Sequence, residues 1–237
     1  MKLTRQVKRL LTMSPHEAWF RAGTLARRTT DRGLVRIRPG WTRGSLHGRL
    51  ATSPGLAAAH RAVRRGAWTD AHQELRQNFL VEPSHFPLDV RQRRATADAI
   101  VAALPTASAD SRAAADSICS DQRRLLGYRS LSYGTPPDWH ADPVRGRRSP
   151  LRFWADVPFL DPVIGDHKVI WEINRHQHWM ALGRAWWLSD DARYLAAFTT
   201  ELASWMRANP PLVGINWASM LELALRCLSW TWAAHFF

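Results

Sequence analysis

Residues 166–188 read DHKVIWEINRHQHWMALGRAWWL, and this stretch decides the fold. Its apolar residues recur at the spacing of an amphipathic α-helix, which predicts one helix over the whole stretch. A second helix is predicted from a Ser-Asp-Asp cap at residues 189–191 to a stop at Asn209, which two prolines follow. A third helix is predicted from near Asn216 to the last residue. No segment of comparable length has strand periodicity. The sequence therefore predicts an all-α protein built of helical hairpins.

The earlier part of the chain has the same character. A helix is predicted to begin at the cap Ser14, with Pro15 at its first position and Glu17 completing a capping box, and to end near Arg28. Residues 29–56 are rich in Gly, Pro, Arg and Thr and are predicted to be irregular. Further helical patterns and one long structured loop follow: helices at 57–64, 68–80, 89–104 and 107–126, and the loop at 127–165.

Composition excludes several classes of protein. Hydrophobic residues make up 46% of the 237 residues and charged residues 22%, so the chain is not disordered. No stretch reaches the ~18 uncharged apolar residues that a membrane-spanning helix needs. Two cysteines, Cys119 and Cys227, are too few for a disulfide scaffold or a cysteine zinc site, and we expect two buried free thiols.

The positive charge is concentrated at the start of the chain. There are 33 Lys and Arg against 20 Asp and Glu, a net charge of +13, and residues 1–65 hold 15 basic and 2 acidic residues, which accounts for the whole excess. Such an arm can bind an anionic polymer, nucleic acid or a membrane surface, and it can equally be a solvated segment. The first eleven residues lack the apolar core of a signal peptide, which favours a cytoplasmic protein by default.

The helix over 166–188 carries a candidate binding stripe. At helical spacing, one face presents an acid, a guanidinium, an imidazole and indoles: Glu172, Arg175, His176, Trp179, Gly183 and Trp186. Indole faces stack on sugar rings, and Arg and His pair with carboxylates or sulfates. The alternative is a buried Glu–Arg ion pair with tryptophans packed between helices. His176 and His178 point to nearly opposite faces of a helix, so no metal site is predicted there.

The last helix is apolar around most of its circumference. It opens at Asn216, which can act as an N-cap or leave free N–H groups for an anion. Glu222 and Arg226 have the spacing of an i,i+4 ion pair. A helix that is apolar over most of its circumference must be buried on several sides. We therefore expect the 237 residues to be the front part of a longer protein.

A spaced set of tryptophans, asparagines, arginines and histidines resembles a known family. The matching residues are Trp139-His140-Ala141-Asp142-Pro143, Pro150-Leu151, Trp154, 169–177, Trp205, Asn209-Pro210-Pro211, 214–219, Glu222 and Arg226. This set resembles the N-terminal half of heparinase II/III-like polysaccharide lyases, whose members include alginate and heparin-sulfate lyases. The opening around Ser14 is similar to the leader helix of members that lack a signal peptide, which are often encoded beside exopolysaccharide genes.

The resemblance implies an incomplete (α/α) toroid, which a β-sandwich follows in the family, and β-elimination at a uronic acid within an anionic polysaccharide. Heparan sulfate, alginate, hyaluronan-like chains and a self-made exopolysaccharide all stay open as the polymer. We expect no cofactor, and the scattered histidines give no support for a metal site. The residues implied to bind the substrate are Asn174, Arg175, His176, Asn216 and Trp217. Those implied to hold them in position are Glu172, Glu222 and Arg226.

The same resemblance suggests three regions. Residues 1–56 form a basic leader helix and irregular arm, 57–126 a helical segment, and 127–237 the start of the toroid, truncated at its C-terminus. The resemblance places the family's catalytic motifs, an Asn-(x)-His motif and a Tyr-rich motif, beyond the last helix of this chain. The letters Asn-x-His do occur once, at Asn174-Arg175-His176, within the run that matches the N-terminal half. We therefore expect neither catalytic residues nor the β-sandwich in this chain. Relatives with signal peptides are periplasmic, so that compartment stays open.

Three functional hypotheses remain. The first is the N-terminal part of a uronate-polymer lyase. The second is a non-catalytic protein that binds anionic glycans, or a truncated remnant. The third is a nucleic-acid or membrane-surface protein that acts through residues 1–65. Since no nucleic-acid-binding motif accompanies the basic arm, we expect no nucleic-acid partner.

Overall fold

The computed structural model describes residues 13–37, 40, 54–81, 86–128 and 130–237. Within these ranges the regular secondary structure is helical apart from isolated bridges and a small antiparallel hairpin, in which Ala141 faces Arg148 and Asp142 faces Arg147. The all-α class predicted from the sequence is confirmed. The elements are α1 Pro15–Ile37, α2 Ala57–Arg64, α3 Trp68–Val81, α4 Arg93–Ala103, α5 Ala107–Cys119, β1 Ala141–Asp142, β2 Arg147–Arg148, α6 His167–Asn174, α7 His178–Ser189, α8 Ala192–Ala208 and α9 Met220–Phe236.

Helix α7 is the centre of the helical body. It packs against α4, α5, α8 and α9, and the apolar cluster between them contains Trp179, Leu182 and Phe198. Two further clusters surround α6 and are built around Trp139 and Ile170. Helices α2 and α3 form a separate hairpin with a small core of its own.

The first helix has the predicted start and is longer than predicted. The Ser14 hydroxyl accepts a hydrogen bond from the Glu17 N–H at 3.1 Å, as expected of a cap. The helix then continues to Ile37 instead of ending near Arg28, so the prediction of irregular structure is wrong for residues 29–37. Hydroxyls of Thr29 and Thr30 donate to carbonyls four residues earlier, which lets threonine stay in the helix. The rest of the predicted irregular segment, apart from residues 40 and 54–56, lies outside the described residues.

The helix predicted over 107–126 ends early, at Cys119. Asp121 takes a left-handed backbone conformation with φ of 55°, and Arg123 then pairs with Leu131 in a β-bridge. The helix predicted over 89–104 is also shorter: Asp89 caps a 3₁₀ turn, and α4 begins at Arg93. Both differences arise where short polar side chains bond the backbone and stop the helix.

The stretch 166–188 is two helices and not one. Helix α6 ends at Asn174 and α7 begins at His178. His176 lies between them with φ of 58°, in the left-handed region that side chains rarely adopt. The single-helix prediction is therefore wrong at residues 175–177.

Helix α9 has polar residues on its inner face. Glu222, Arg226 and Ser229 are buried, whereas Met220 and Leu228 are exposed. The apolar residues predicted to need burial are therefore in part uncovered, because the face that α9 turns to the body is polar. The predicted burial of the two thiols is wrong, since both cysteines are exposed.

No helix in the described part of the chain combines the length and the apolar character that crossing a bilayer requires.

Candidate functional site

Asn174, the last residue of α6, lies at the centre of a buried polar network. Its side-chain amide donates to the carbonyl oxygens of Trp139 at 2.8 Å and Ile170 at 2.7 Å. Its amide oxygen accepts a hydrogen bond from the Trp205 indole at 2.8 Å. Asn174 is only 1% exposed, so these bonds replace those that water would make. The residue thereby joins α6 to α8 and to the loop before the hairpin.

Asn216 belongs to the same buried network as Asn174. Its amide donates to the Trp139 carbonyl at 3.1 Å and to the Asn209 side-chain oxygen at 2.8 Å. Asn209 in turn donates to the Trp205 carbonyl at 3.0 Å. Asn216 lies in a 3₁₀ turn and is not the N-cap of α9; that position belongs to Ser219.

Arg226 closes the network from α9. Its Nε donates to the Asn174 carbonyl at 3.0 Å and its Nη2 to the Asn216 carbonyl at 2.9 Å, while the guanidinium lies 4.7 Å from the Trp205 ring centre. The predicted i,i+4 pair with Glu222 is wrong, because Arg226 points to these carbonyls. Burial lowers the pKa of Arg226 to about 10, so it remains charged at neutral pH.

His176 lies within a group of indole rings. Its ring stacks on Trp179 with centroids 3.9 Å apart, and it meets Trp139 and Trp205 edge to face. The Trp230 indole donates to Nδ1 at 2.7 Å, which leaves the proton of the neutral ring on Nε2. Burial, and then the positive charges of nearby residues, hold the pKa of His176 well below 6.5. A buried neutral imidazole does not attract a carboxylate as an imidazolium does.

Arg175 lies at the rim of the network and is already paired. It donates to both oxygens of Glu222 at 2.8 and 2.9 Å and to Glu172 at 2.5 Å. This is the ion pair that the sequence offered as the alternative to a sugar-binding stripe. One cation between two carboxylates is a poor receptor for an anion until one carboxylate is displaced.

The predicted stripe along 166–188 does not form, because the chain turns at His176. Gly183 faces Phe236, and Trp186 stacks under the Arg93 guanidinium at 4.0 Å. The structure instead unites Asn174, His176 and Asn216 in the interior and leaves Arg175, Glu172 and Trp217 partly accessible. Among the described residues, no group of His, Cys, Asp or Glu side chains is arranged to hold a metal ion.

The run at 139–143, which carries part of the family resemblance, makes buried contacts that hold the fold together. The His140 ring is within 3.0 Å of the Ala208 carbonyl, and the Trp139 indole donates to Ser204 at 3.1 Å. Asp142 is fully buried and accepts from the Asp166 N–H at 2.7 Å, which fixes the start of α6. Gly165, with φ of 94°, is required beside it, since a Cβ there would lie 2.7 Å from Asp142.

A second buried charged group was missed by the sequence reasoning. Glu201 on α8 accepts hydrogen bonds from Arg123 at 2.5 Å, from Trp179 at 2.9 Å, and lies 2.7 Å from the His178 ring. Burial alone raises the pKa of this carboxyl, but His178 and Arg123 outweigh burial and bring it to about 2. Clefts of about 450 and 370 Å³ lie on either side of Arg123. In the sequence, Glu201 is recognisable as a glutamate at helical spacing within an apolar face.

The buried histidines make a testable contribution to stability. Burial lowers the pKa values of His140, His176 and His178 below 6.5, so the unfolded chain takes up protons that the folded protein refuses. Their stabilising effect is fully present above about pH 6.5 and is lost as the pH falls toward the folded values. We expect the free energy of unfolding in urea to fall with decreasing pH in this range. The substitution Gln73→Ala at an exposed position should leave the slope unchanged, and a flat profile across pH 6.5 would contradict the assignment.

The fold and the buried network together define an all-α, toroid-like region made of helical hairpins. The chain belongs to the family described as Heparinase II/III N-terminus, whose model matches residues 50–234. The resemblance seen in the sequence is thereby confirmed.

Individual relatives agree with the family. A heparin-sulfate lyase of Bacteroides stercoris is 26% identical over 85 residues, which cover 35% of this chain and 10% of that protein. The crystal structure of the heparan sulfate lyase HepC of Pedobacter heparinus superposes with a TM-score of 0.51 at 19% identity, covering 78% of this chain and 26% of HepC. A HepC mutant gives the same values. The chain thus spans only a small part of the length of each lyase.

Proposed function

We propose that this chain is the N-terminal part of a polysaccharide lyase that cleaves a uronic-acid-containing anionic polysaccharide by β-elimination. The observation that carries the proposal is the family match over residues 50–234. The matched relatives are a heparin-sulfate lyase and a heparan sulfate lyase, which supports a glycosaminoglycan or a similar uronate polymer as the substrate class. The division into 1–56, 57–126 and 127–237 belongs to the same proposal.

The proposed reaction needs three kinds of group. A base removes the proton on C5 of the uronic acid, and the electron pair forms a double bond between C4 and C5. The bond from C4 to its bridging oxygen breaks, and an acid protonates that oxygen. Donors near the C6 carboxylate stabilise the charge that develops there. We assign none of the catalytic groups to the present 237 residues.

The proposal gives the predicted site residues two different roles. Arg175 and Trp217 have accessible surface and are the side chains that we place against the glycan. Asn174, His176 and Asn216 are buried, and we place them beneath that surface, where their hydrogen bonds hold it in shape. Glu172, Glu222 and Arg226 then keep Arg175 and the two adjoining carbonyls in position.

A second candidate is glycan binding without cleavage. The excess of basic residues within residues 1–65 favours it, since this arm attracts any polyanion. This alternative predicts retention on an immobilised uronate polymer, a steep loss of retention with added salt, and no unsaturated product.

The test uses the product of the complete reading frame that encodes these residues. Heparan sulfate, alginate, hyaluronan and the exopolysaccharide of the source organism are each incubated with it, and the ultraviolet absorbance of the unsaturated uronate is followed. We expect absorbance to rise with at least one polymer and Arg175→Ala to lower turnover by about tenfold or more. Gln177→Ala, on the same turn but exposed, is the matched control.

Two results would count against the proposal. Retention of the polymers without any rise in absorbance would favour the binding protein over the lyase. Unchanged turnover in Arg175→Ala and Asn216→Ala, with folding verified by circular dichroism, would remove these residues from the site while leaving the lyase assignment standing.

A further inference from the structure

Among the described residues, the side-chain contacts that attach helix α1 to the body lie on one of its faces. None of its 23 residues is buried. The Arg28 guanidinium lies 5.0 Å from the Trp154 ring centre, and Arg32 pairs with Asp156 at 2.5 Å while it lies 5.3 Å from the ring centre of Phe153. Arg28 and Arg32 are four residues apart and share a side of the helix. This side is the one that α1 turns toward the body.

The opposite face of α1 is apolar and open. Trp19 and Ile37 are separated by about five full helical turns, so they lie on one line, and Leu34 lies beside it. Arg28 follows Trp19 by about two and a half turns, which places it directly opposite. Trp19 is 81% exposed, Ile37 76% and Leu34 52%. The helix therefore holds Arg28 and Arg32 against the protein and presents three large apolar side chains to the outside.

Positive charge borders this apolar face. Arg27 lies about a quarter turn to one side of the line from Trp19 to Ile37, and Arg36 lies about a quarter turn to the other side. The chain around α1 carries the basic excess of residues 1–65. Helices that lie in the plane of an anionic lipid surface have this composition, with Trp and Leu on one face and Arg beside them.

We propose that α1 binds the surface of an anionic lipid bilayer, with Trp19, Leu34 and Ile37 inserted between the headgroups and Arg27 and Arg36 paired with lipid phosphates. This attachment goes beyond the proposed glycan chemistry and uses a different part of the chain. Lipid is favoured over nucleic acid because the outward face is apolar at its centre. A bound nucleic acid would contact a face made of cations.

Vesicle flotation with the full 237-residue chain tests the proposal. We expect the protein to float with vesicles of equal parts phosphatidylglycerol and phosphatidylcholine and to remain unbound with phosphatidylcholine alone. The double substitution Trp19→Ser with Ile37→Ser should weaken binding by about tenfold or more, because it removes two inserted side chains. Met220→Ser, which removes an equally exposed apolar side chain from α9, should bind like the unaltered protein.

Contact with the lipid is tested separately through Trp19. Lipids brominated on their acyl chains quench an indole that enters the bilayer. We expect quenching in the unaltered protein to exceed that in Trp19→Phe, which keeps an aromatic anchor and still floats. Arg27→Gln with Arg36→Gln should weaken binding to the anionic vesicles, whereas Arg147→Gln on the exposed hairpin should not.

Several outcomes would overturn the proposal. The first is failure of the unaltered protein to float with anionic vesicles. The second is that the double variant Trp19→Ser with Ile37→Ser floats as well as the unaltered protein. Circular dichroism would verify that this variant is folded. The third is that the unaltered protein sediments as a dimer and this variant as a monomer, while neither binds vesicles. That result would assign the apolar face of α1 to contact with a second copy of the chain.

Discussion

Replacing Gly183 with alanine is expected to lower the free energy of unfolding by about 2–3 kcal/mol. Gly183 lies in α7 where this helix meets α9. A Cβ added there would lie 2.4 Å from Cγ and 2.6 Å from Cβ of Phe236. One of these atoms is next to the backbone, so the ring cannot simply rotate away. The two helices must separate, and the packing of Phe236 against Trp187 is lost. Urea denaturation measures the change.

The matched control is Gly33→Ala in α1. Nothing lies within 4 Å of a Cβ at this position, so alanine should be neutral or should stabilise the helix by up to about 1 kcal/mol. The double variant Gly183→Ala with Phe236→Ala should lose less stability than the sum of the two single changes, because the clash is absent without the ring. Equal stability of the two single glycine variants would show that α7 and α9 are not in contact at Gly183.

Asn174→Leu is expected to be the other strongly destabilising change, by about 3–5 kcal/mol. Leucine has a similar volume but makes none of the three hydrogen bonds of the amide. The Trp205 N–H and the Trp139 carbonyl then lose the hydrogen bonds that Asn174 makes to them. Each such group costs about 1–3 kcal/mol. The measurement is again the unfolding free energy in urea.

Gln177→Ala is the control for Asn174→Leu. It removes an amide from the same turn, but Gln177 is exposed and its side chain does not cap α7. We expect a change within about 0.5 kcal/mol. A loss for Asn174→Leu no greater than that for Gln177→Ala would mean that the network does not hold the turn.

The sequence predicted the helices whose ends are set by local chemistry. The start of α8 follows from Asp191, whose carboxylate accepts from the Arg193 N–H at 3.0 Å, and its end follows from Asn209 and the prolines after it. Caps and prolines act within four residues, so one sequence is enough to recognise them. The predicted helices at 57–64 and 68–80 agree with α2 and α3 to within one residue for the same reason.

The break at His176 could not be predicted in this way. Residues 175–177 continue the helical pattern on both sides and contain neither glycine nor proline. What stops the helix is tertiary: four indole rings surround His176, and Asn174 bonds a carbonyl 35 residues away in sequence. Propensity is a weak prior, and here buried contacts from distant segments override it.

Sequence spacing did not predict how the eight proposed site residues are arranged. All eight residues lie in one region, but sequence spacing suggested an accessible stripe and an ion pair of Glu222 with Arg226. The glutamate instead binds Arg175, 47 residues earlier. Glu201 likewise finds Arg123, 78 residues away. Pairings over such separations depend on the packed fold, which spacing within one helix does not reveal.

The hydrogen bonds that the Trp139 carbonyl accepts also affect how the protein folds and opens. It accepts from Asn174 and from Asn216, which are 35 and 77 residues distant, and Arg226 bonds a carbonyl 52 residues away. Closing such long loops costs entropy before any bond forms, so this region should assemble late and slowly. Once formed, it should open as one unit, and the backbone amides of α6 should exchange their hydrogens together rather than one turn at a time.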